Sequence, residues 1–124
     1  MLTCLLFFVL PYPSLTVSFY SLAVVDMLAI GPDFEKELPG SDVFKVLAGS
    51  SQSTNPTIKD FKHRVKAFLK TGKAVSCEIS LTVKRSGMIR RGVERFVTHW
   101  TPLKNENGET QWVVATLGSL TKNW

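Results

Sequence analysis

A chain of 124 residues, 44% hydrophobic and 20% charged with a net charge of +5, is long enough for one core and too short for two. The two cysteines, Cys4 and Cys77, make neither a metal-ligand spacing nor a disulfide framework. No glycine-rich phosphate loop, nucleophile elbow or paired metal-binding histidine is present, so the familiar signatures of nucleotide, hydrolase and zinc chemistry are missing.

From Met1 to Val25 the chain carries no charge. The turn residues of Pro11-Tyr12-Pro13-Ser14 divide this apolar run, which predicts two buried strands, Leu5–Leu10 and Leu15–Tyr20. The competing readings are a secretory or membrane-targeting segment, which lacks a basic start and an unbroken apolar span, and a mispredicted gene start. Residues 1–14 are accordingly taken as an apolar N-terminal segment, 15–118 as the domain and 119–124 as a tail. Ser21–Gly31 suits a helix of two to three turns, and Pro32–Asp42 is a turn-rich connector with at most one helical turn. Val43–Gly49 is apolar and ends at a glycine, and Ser50–Pro56 is a polar loop.

The clearest helix follows. Asn55 can cap it, Pro56 suits its first position and Gly72 its stop. Ile58, Phe61, Val65, Phe68 and Leu69 recur at three- and four-residue steps as one packing stripe, and Asp60 and Arg64 are spaced for an ion pair. Next, Val75, Cys77, Ile79, Leu81 and Val83 alternate with Ser76, Glu78, Ser80 and Thr82, the period-two pattern of a strand with one wet face. A basic loop, Lys84–Gly92, leads to a strand over Val93–Leu103. A turn containing Asn107-Gly108 leads to the last strand, Glu109–Gly118.

Between Lys59 and Arg95 eleven lysines and arginines stand against Asp60, Glu78 and Glu94. This region could meet nucleic acid or an anionic membrane surface, or be a solvated helix face and loop. His63 and His99 have no accompanying cluster of ligands, and no acid–base pair, nucleophile or metal set can be assembled.

Leu47-Ala48-Gly49, Asn55-Pro56, Gly72-Lys73, Val75-Ser76-Cys77-Glu78-Ile79 and the Thr101–Gly108 turn, in that order, resemble the series found in PAS domains. The resemblance spans Thr16–Gly118. It is closest to the light-oxygen-voltage (LOV) branch and the short PAS proteins of fungi. It implies an α+β fold, a five-stranded antiparallel sheet flanked by helices on one face. LOV photochemistry needs a cysteine in the run Asn-Cys-Arg-Phe-Leu-Gln-Gly, which matches Val43–Gly49 here. Phe44 takes the cysteine position and Ala48 that of the glutamine. The flavin-binding asparagines and glutamine of the last three strands match Thr82, Phe96 and Leu117, of which only Thr82 can still hydrogen-bond.

Phe44, Ala48, Thr82, Phe96, Trp100 and Leu117 are therefore the pocket-lining candidates. Phe96 and Trp100 share a strand face and could fill the space of a flavin ring. The family register turns Ser80 and Thr82 inward and the row Cys77–Ile79–Leu81 outward; either the register slips or that row is an outer surface. Trp112 and Val114, alternating with inward Val113, Ala115 and Leu117, are the interface candidates. The expected function is a non-enzymatic, intracellular sensory module working through protein–protein interaction, as a homo-oligomer or with another PAS or effector protein, without a cofactor. The alternatives are an FMN- or other ligand-binding sensor and a basic nucleic-acid or membrane-surface binder.

Overall fold

The computed structural model describes residues 6–28, 30–50, 57–83 and 92–120. Five strands form one antiparallel sheet: β1 (Phe7–Pro11), β2 (Phe19–Tyr20), β3 (Val75–Val83), β4 (Gly92–Lys104) and β5 (Thr110–Ser119), in spatial order β2-β1-β5-β4-β3. Among the described residues four helices join β2 to β3: α1 (Leu22–Met27), α2 (Pro32–Glu35), α3 (Val43–Ser50) and α4 (Thr57–Leu69). Among the described residues no helix is long and apolar enough to cross a membrane.

The N-terminal apolar run contributes β1, which is hydrogen-bonded between β5 and β2. The second expected strand shrinks to Phe19–Tyr20. In its first half Leu15 and Val17 are buried, but this stretch follows the segment around Asp42 rather than the sheet. Val17 N–H donates to the Ser41 carbonyl and Val43 N–H to the Leu15 carbonyl, and Thr16 bridges Asp42. The helix expected over Ser21–Gly31 closes after six residues, and α2 is a single turn.

Val43–Gly49, unassigned from its pattern, is helical. Asp42 starts it: its carboxylate accepts the Phe44 backbone N–H at 2.9 Å, as an N-cap does. Its other oxygen lies 3.7 Å from Lys62 Nζ and so ties α3 to α4. The cap satisfies an amide that the helix itself leaves unpaired, whereas the half-exposed ion pair contributes little. Asp42→Ala is therefore expected to lower stability by about 1 kcal/mol. Asp42→Asn, which keeps the cap and loses the charge, should stay within about 0.5 kcal/mol of wild type in urea melts. Equal losses in both variants would transfer the weight to the ion pair.

In α4 the buried stripe is Phe61, Val65 and Leu69, with Ile58 packed beside it. Phe68, expected in this stripe, is 49% exposed. It sits at the stripe's edge, where the turn of the helix carries it past the sheet. Nor do Asp60 and Arg64 pair; among the described residues the helix's ion pair is Lys62–Asp42. Asn55 and Pro56, the expected start, lie outside the described residues. The helix ends as expected, with Gly72 at φ +77° donating its N–H to the Leu69 carbonyl. Lys104 Nζ would lie 3.1 Å from a Cβ at this glycine, so both conformation and space favour its bare backbone.

The long antiparallel ladders follow the alternation of the sequence. In the β4–β5 turn Asn105 closes the loop, its backbone N–H donating to Glu109 and its side chain accepting from Asn107 and Glu109. Gly108, at φ +79°, supplies the left-handed turn position.

Candidate functional site

The inner sheet face is set by three strands in register. Val75 pairs Trp100, Cys77 pairs Thr98 and Ile79 pairs Phe96, while Thr98 pairs Leu117 and Trp100 pairs Ala115. All eight of these side chains are buried. The row Cys77–Ile79–Leu81 thus faces the core, and Ser76, Glu78, Ser80 and Thr82 take the other face. This corrects the register implied by the family resemblance. A one-residue slip exchanges every side chain between faces, and burying three or four aliphatic side chains stabilises by about 1.5–3 kcal/mol each. Thr82, half-buried on the outer side, therefore does not join the pocket-lining candidates.

Phe44, Phe96, Trp100 and Leu117 are all buried on the core side, and Ala48 is half-buried on α3. Phe44 and Trp100 stack with ring centroids 5.4 Å apart and an 18° interplanar angle. Phe61, from α4, closes the cluster edge-on, 6.2 Å from Phe44 and 6.0 Å from Trp100. Offset-stacked and edge-to-face rings at such distances each gain about 0.5–1.5 kcal/mol beyond their buried area. The cluster pins α3 and α4 to β4. Lys62 and Lys66 also approach the Phe44 ring, their ammonium groups lying 5.7 and 6.0 Å from its centroid.

One polar side chain is buried with the rings. Thr98, 1% exposed, accepts the indole N–H of Trp100 at 2.8 Å and donates its hydroxyl to the Cys77 carbonyl at 2.8 Å. Among the described residues no buried side-chain nitrogen or oxygen is left without a partner. Phe61 and Thr98 were not among the sequence-derived site residues. Both carried a signal: Phe61 is in the helical stripe, and Thr98 lies midway between Phe96 and Trp100, so alternation puts all three on one face.

Cys77 borders the cluster. Burial pushes its thiol pKa up, and the Arg64 guanidinium pulls weakly the other way. Because the folded value lies above the unfolded one, the thiol's contribution to stability is complete below the ordinary thiol range and fades as pH rises through it. In a Cys4→Ser variant, Cys77 should resist a thiol reagent at neutral pH until denaturant unfolds the chain; rapid labelling of the native protein would contradict its burial.

The outer sheet face has a different character. In one cross-strand row stand Pro11, Trp112 and Leu103; in the next stand Phe19, Val9, Val114 and Thr101. Phe19 is 64%, Leu103 47% and Trp112 37% exposed, while Val114 is half-buried. The interface candidates Trp112 and Val114 thus lie in adjacent rows of one apolar strip. Toward β3 the face turns polar. Ser76 and His99 Nδ1 are hydrogen-bonded at 2.7 Å, and Arg95 pairs with Glu78. Among the described residues no group of three or more His, Cys, Asp or Glu side chains could hold a metal ion.

The chain matches no protein-family model and no curated protein. Solved structures do match. An RNA-binding light-oxygen-voltage receptor superposes with a TM-score of 0.67 at 15% identity, over 96% of this chain and 30% of that one. A PAS domain from Colwellia psychrerythraea gives 0.67 at 10% identity, over 98% of this chain and 90% of that one. A fungal LOV domain photoreceptor gives 0.66 at 15% identity, over 97% and 78%.

The fold is PAS-like.

At these identities the likeness is one of fold, and this chain spans less than a third of the RNA-binding receptor. The ring cluster lies between the sheet and helices α3 and α4, and the apolar strip is on the opposite face of the sheet.

Proposed function

We propose that this chain is a non-enzymatic, PAS-type sensory and signalling module with a flavin-free core, acting through a partner protein seated on the outer face of its sheet. The observation that carries this reading is the apolar strip formed by Phe19, Val9, Val114, Pro11, Trp112 and Leu103 on the face opposite the helices. Large apolar side chains grouped on a solvent-facing sheet favour a contact surface, and a second copy of the domain is its simplest occupant.

The flavin-free core rests on the chemistry of the candidate lining. By the family resemblance Phe44 takes the position of the adduct-forming cysteine, and a phenyl ring cannot make that bond. It stacks on Trp100, with Phe61 against both. Phe96 and Leu117 replace amide side chains with groups that neither donate nor accept hydrogen bonds. A flavin placed against them would leave several polar atoms unpaired, each costing about 1–3 kcal/mol.

Native mass spectrometry of the purified protein tests both halves of this reading. The expected spectrum is a ligand-free dimer, or a ligand-free monomer–dimer mixture that shifts with concentration. A stoichiometric mass increment from a flavin would overturn the flavin-free core. A monomer at every concentration would overturn self-association and direct the search to a different partner.

A further inference from the structure

One feature of the exposed surface lies away from the sheet face and meets the ring cluster only where Lys62 and Lys66 approach Phe44. Along the outside of α4 runs a groove of about 440 Å³ lined by Lys59, Lys62, His63, Lys66, Ala67 and Lys70. Lys59, Lys62, Lys66 and Lys70 follow one another at three- and four-residue steps, with His63 and Ala67 beside them, so the lysines form a row along α4 and into the turn that follows it. Over the eleven steps from Lys59 to Lys70 the row is about 16 Å long, the axial length of about five successive phosphates on one strand of a duplex. Among the described residues only Lys62 of this row pairs with a carboxylate, Asp42. Asp60 is the helix's single acidic residue and lies to one side of the row. Among the described residues the ammonium groups of Lys59, Lys66 and Lys70 thus have no carboxylate partner, that of Lys66 lying 6.0 Å from the Phe44 ring centroid.

We infer that this face of α4 is a docking surface for the phosphate backbone of duplex nucleic acid. Charge complementarity is the first argument. The second is what the face lacks. A helix that lies in a membrane surface needs an apolar face turned toward the lipid. Here Phe61, Val65 and Leu69 are turned into the domain, and exposed Phe68 stands on the side of α4 away from the lysines. Binding of single strands relies on aromatic side chains that stack with bases. The row has no Phe, Tyr or Trp, so it can follow a backbone but offers bases no stacking platform. The face is opposite the outer sheet surface, so a partner seated there leaves α4 accessible.

Fluorescence anisotropy with a labelled 20-base-pair DNA duplex, titrated at several salt concentrations, tests the inference. Each phosphate contact contributes about −0.9 to the slope of log K against log salt, so three contacts predict a slope of about −2.7. In Lys59→Gln/Lys66→Gln the slope should fall to about −0.9. The control Lys36→Gln/Arg95→Gln removes the same two charges elsewhere and should leave the wild-type slope. Equal weakening in both double variants would reduce the effect to net charge and overturn the site. So would no binding at low salt, binding of a single strand as tight as that of the duplex, or preferential binding to phosphatidylserine vesicles or polyglutamate.

Discussion

Trp100→Ala should destabilise the protein by about 3–5 kcal/mol, the range for deleting a large buried aromatic. The effect is large because one side chain serves three contacts: the stack on Phe44, the edge contact with Phe61 and the hydrogen bond to Thr98. Thr98 keeps its own donation to the Cys77 carbonyl, so the loss is one of packing more than of an orphaned polar group. A domain of this size has about 5–15 kcal/mol in hand, and the variant would be marginal at room temperature. Trp100→Phe retains most of the ring contact and should cost less than half as much. Urea denaturation followed by circular dichroism measures both. If the Ala variant can be purified folded, added indole should raise its midpoint by refilling the space, as an apolar cavity takes up an apolar ring. An alanine variant within about 1 kcal/mol of wild type would show that the cluster does not hold the helices to the sheet.

Trp112→Glu should weaken self-association by roughly 30-fold or more, since an aromatic at the centre of an interface typically contributes at least 2 kcal/mol. Trp112 is in register with Pro11 on one side and Leu103 on the other, so the charge would enter the middle of the apolar strip. Val114→Glu, in the neighbouring row beside Val9, should act in the same direction. Both side chains point away from the core, so the thermal midpoint of each variant should move by only a few degrees. Sedimentation velocity across a concentration series reads the association and a thermal melt reads the fold. Unchanged association in both variants would remove the strip from the interface, whereas a collapsed melt would mean that Trp112 supports the sheet instead.

The two tryptophans of the last hairpin show where sequence reasoning has its strength. Trp100 shares its face with Phe96 and Thr98, and Trp112 alternates with Val113 and Ala115. Given an antiparallel hairpin closed at Gly108, alternation assigns opposite faces to the two rings before any coordinates exist. In β3, one strand earlier, alternation leaves the two faces unassigned. In β3 the pattern separates Cys77, Ile79 and Leu81 from Ser76, Glu78, Ser80 and Thr82, but a pattern does not say which set meets a core. Aligning Thr82 to a flavin-binding asparagine put the polar set inside, and the pairing with β4 reverses it.

What the sequence determined by itself is therefore local: the strand alternation, the Gly108 turn, and the stripe and stop of α4. These depend on residues a few positions apart, whose geometry the backbone dictates. The tertiary structure alone decided what joins distant segments. It brought Phe61 onto Phe44 and Trp100, placed Asp42 between the start of α3 and Lys62, and turned Phe68 out to solvent. It also sent Leu15–Val17 to the Asp42 segment instead of the sheet. Each of these depends on which surfaces compete for burial once the helices lie across the sheet. That competition is settled by packing of the whole chain, and no short stretch of residues encodes it.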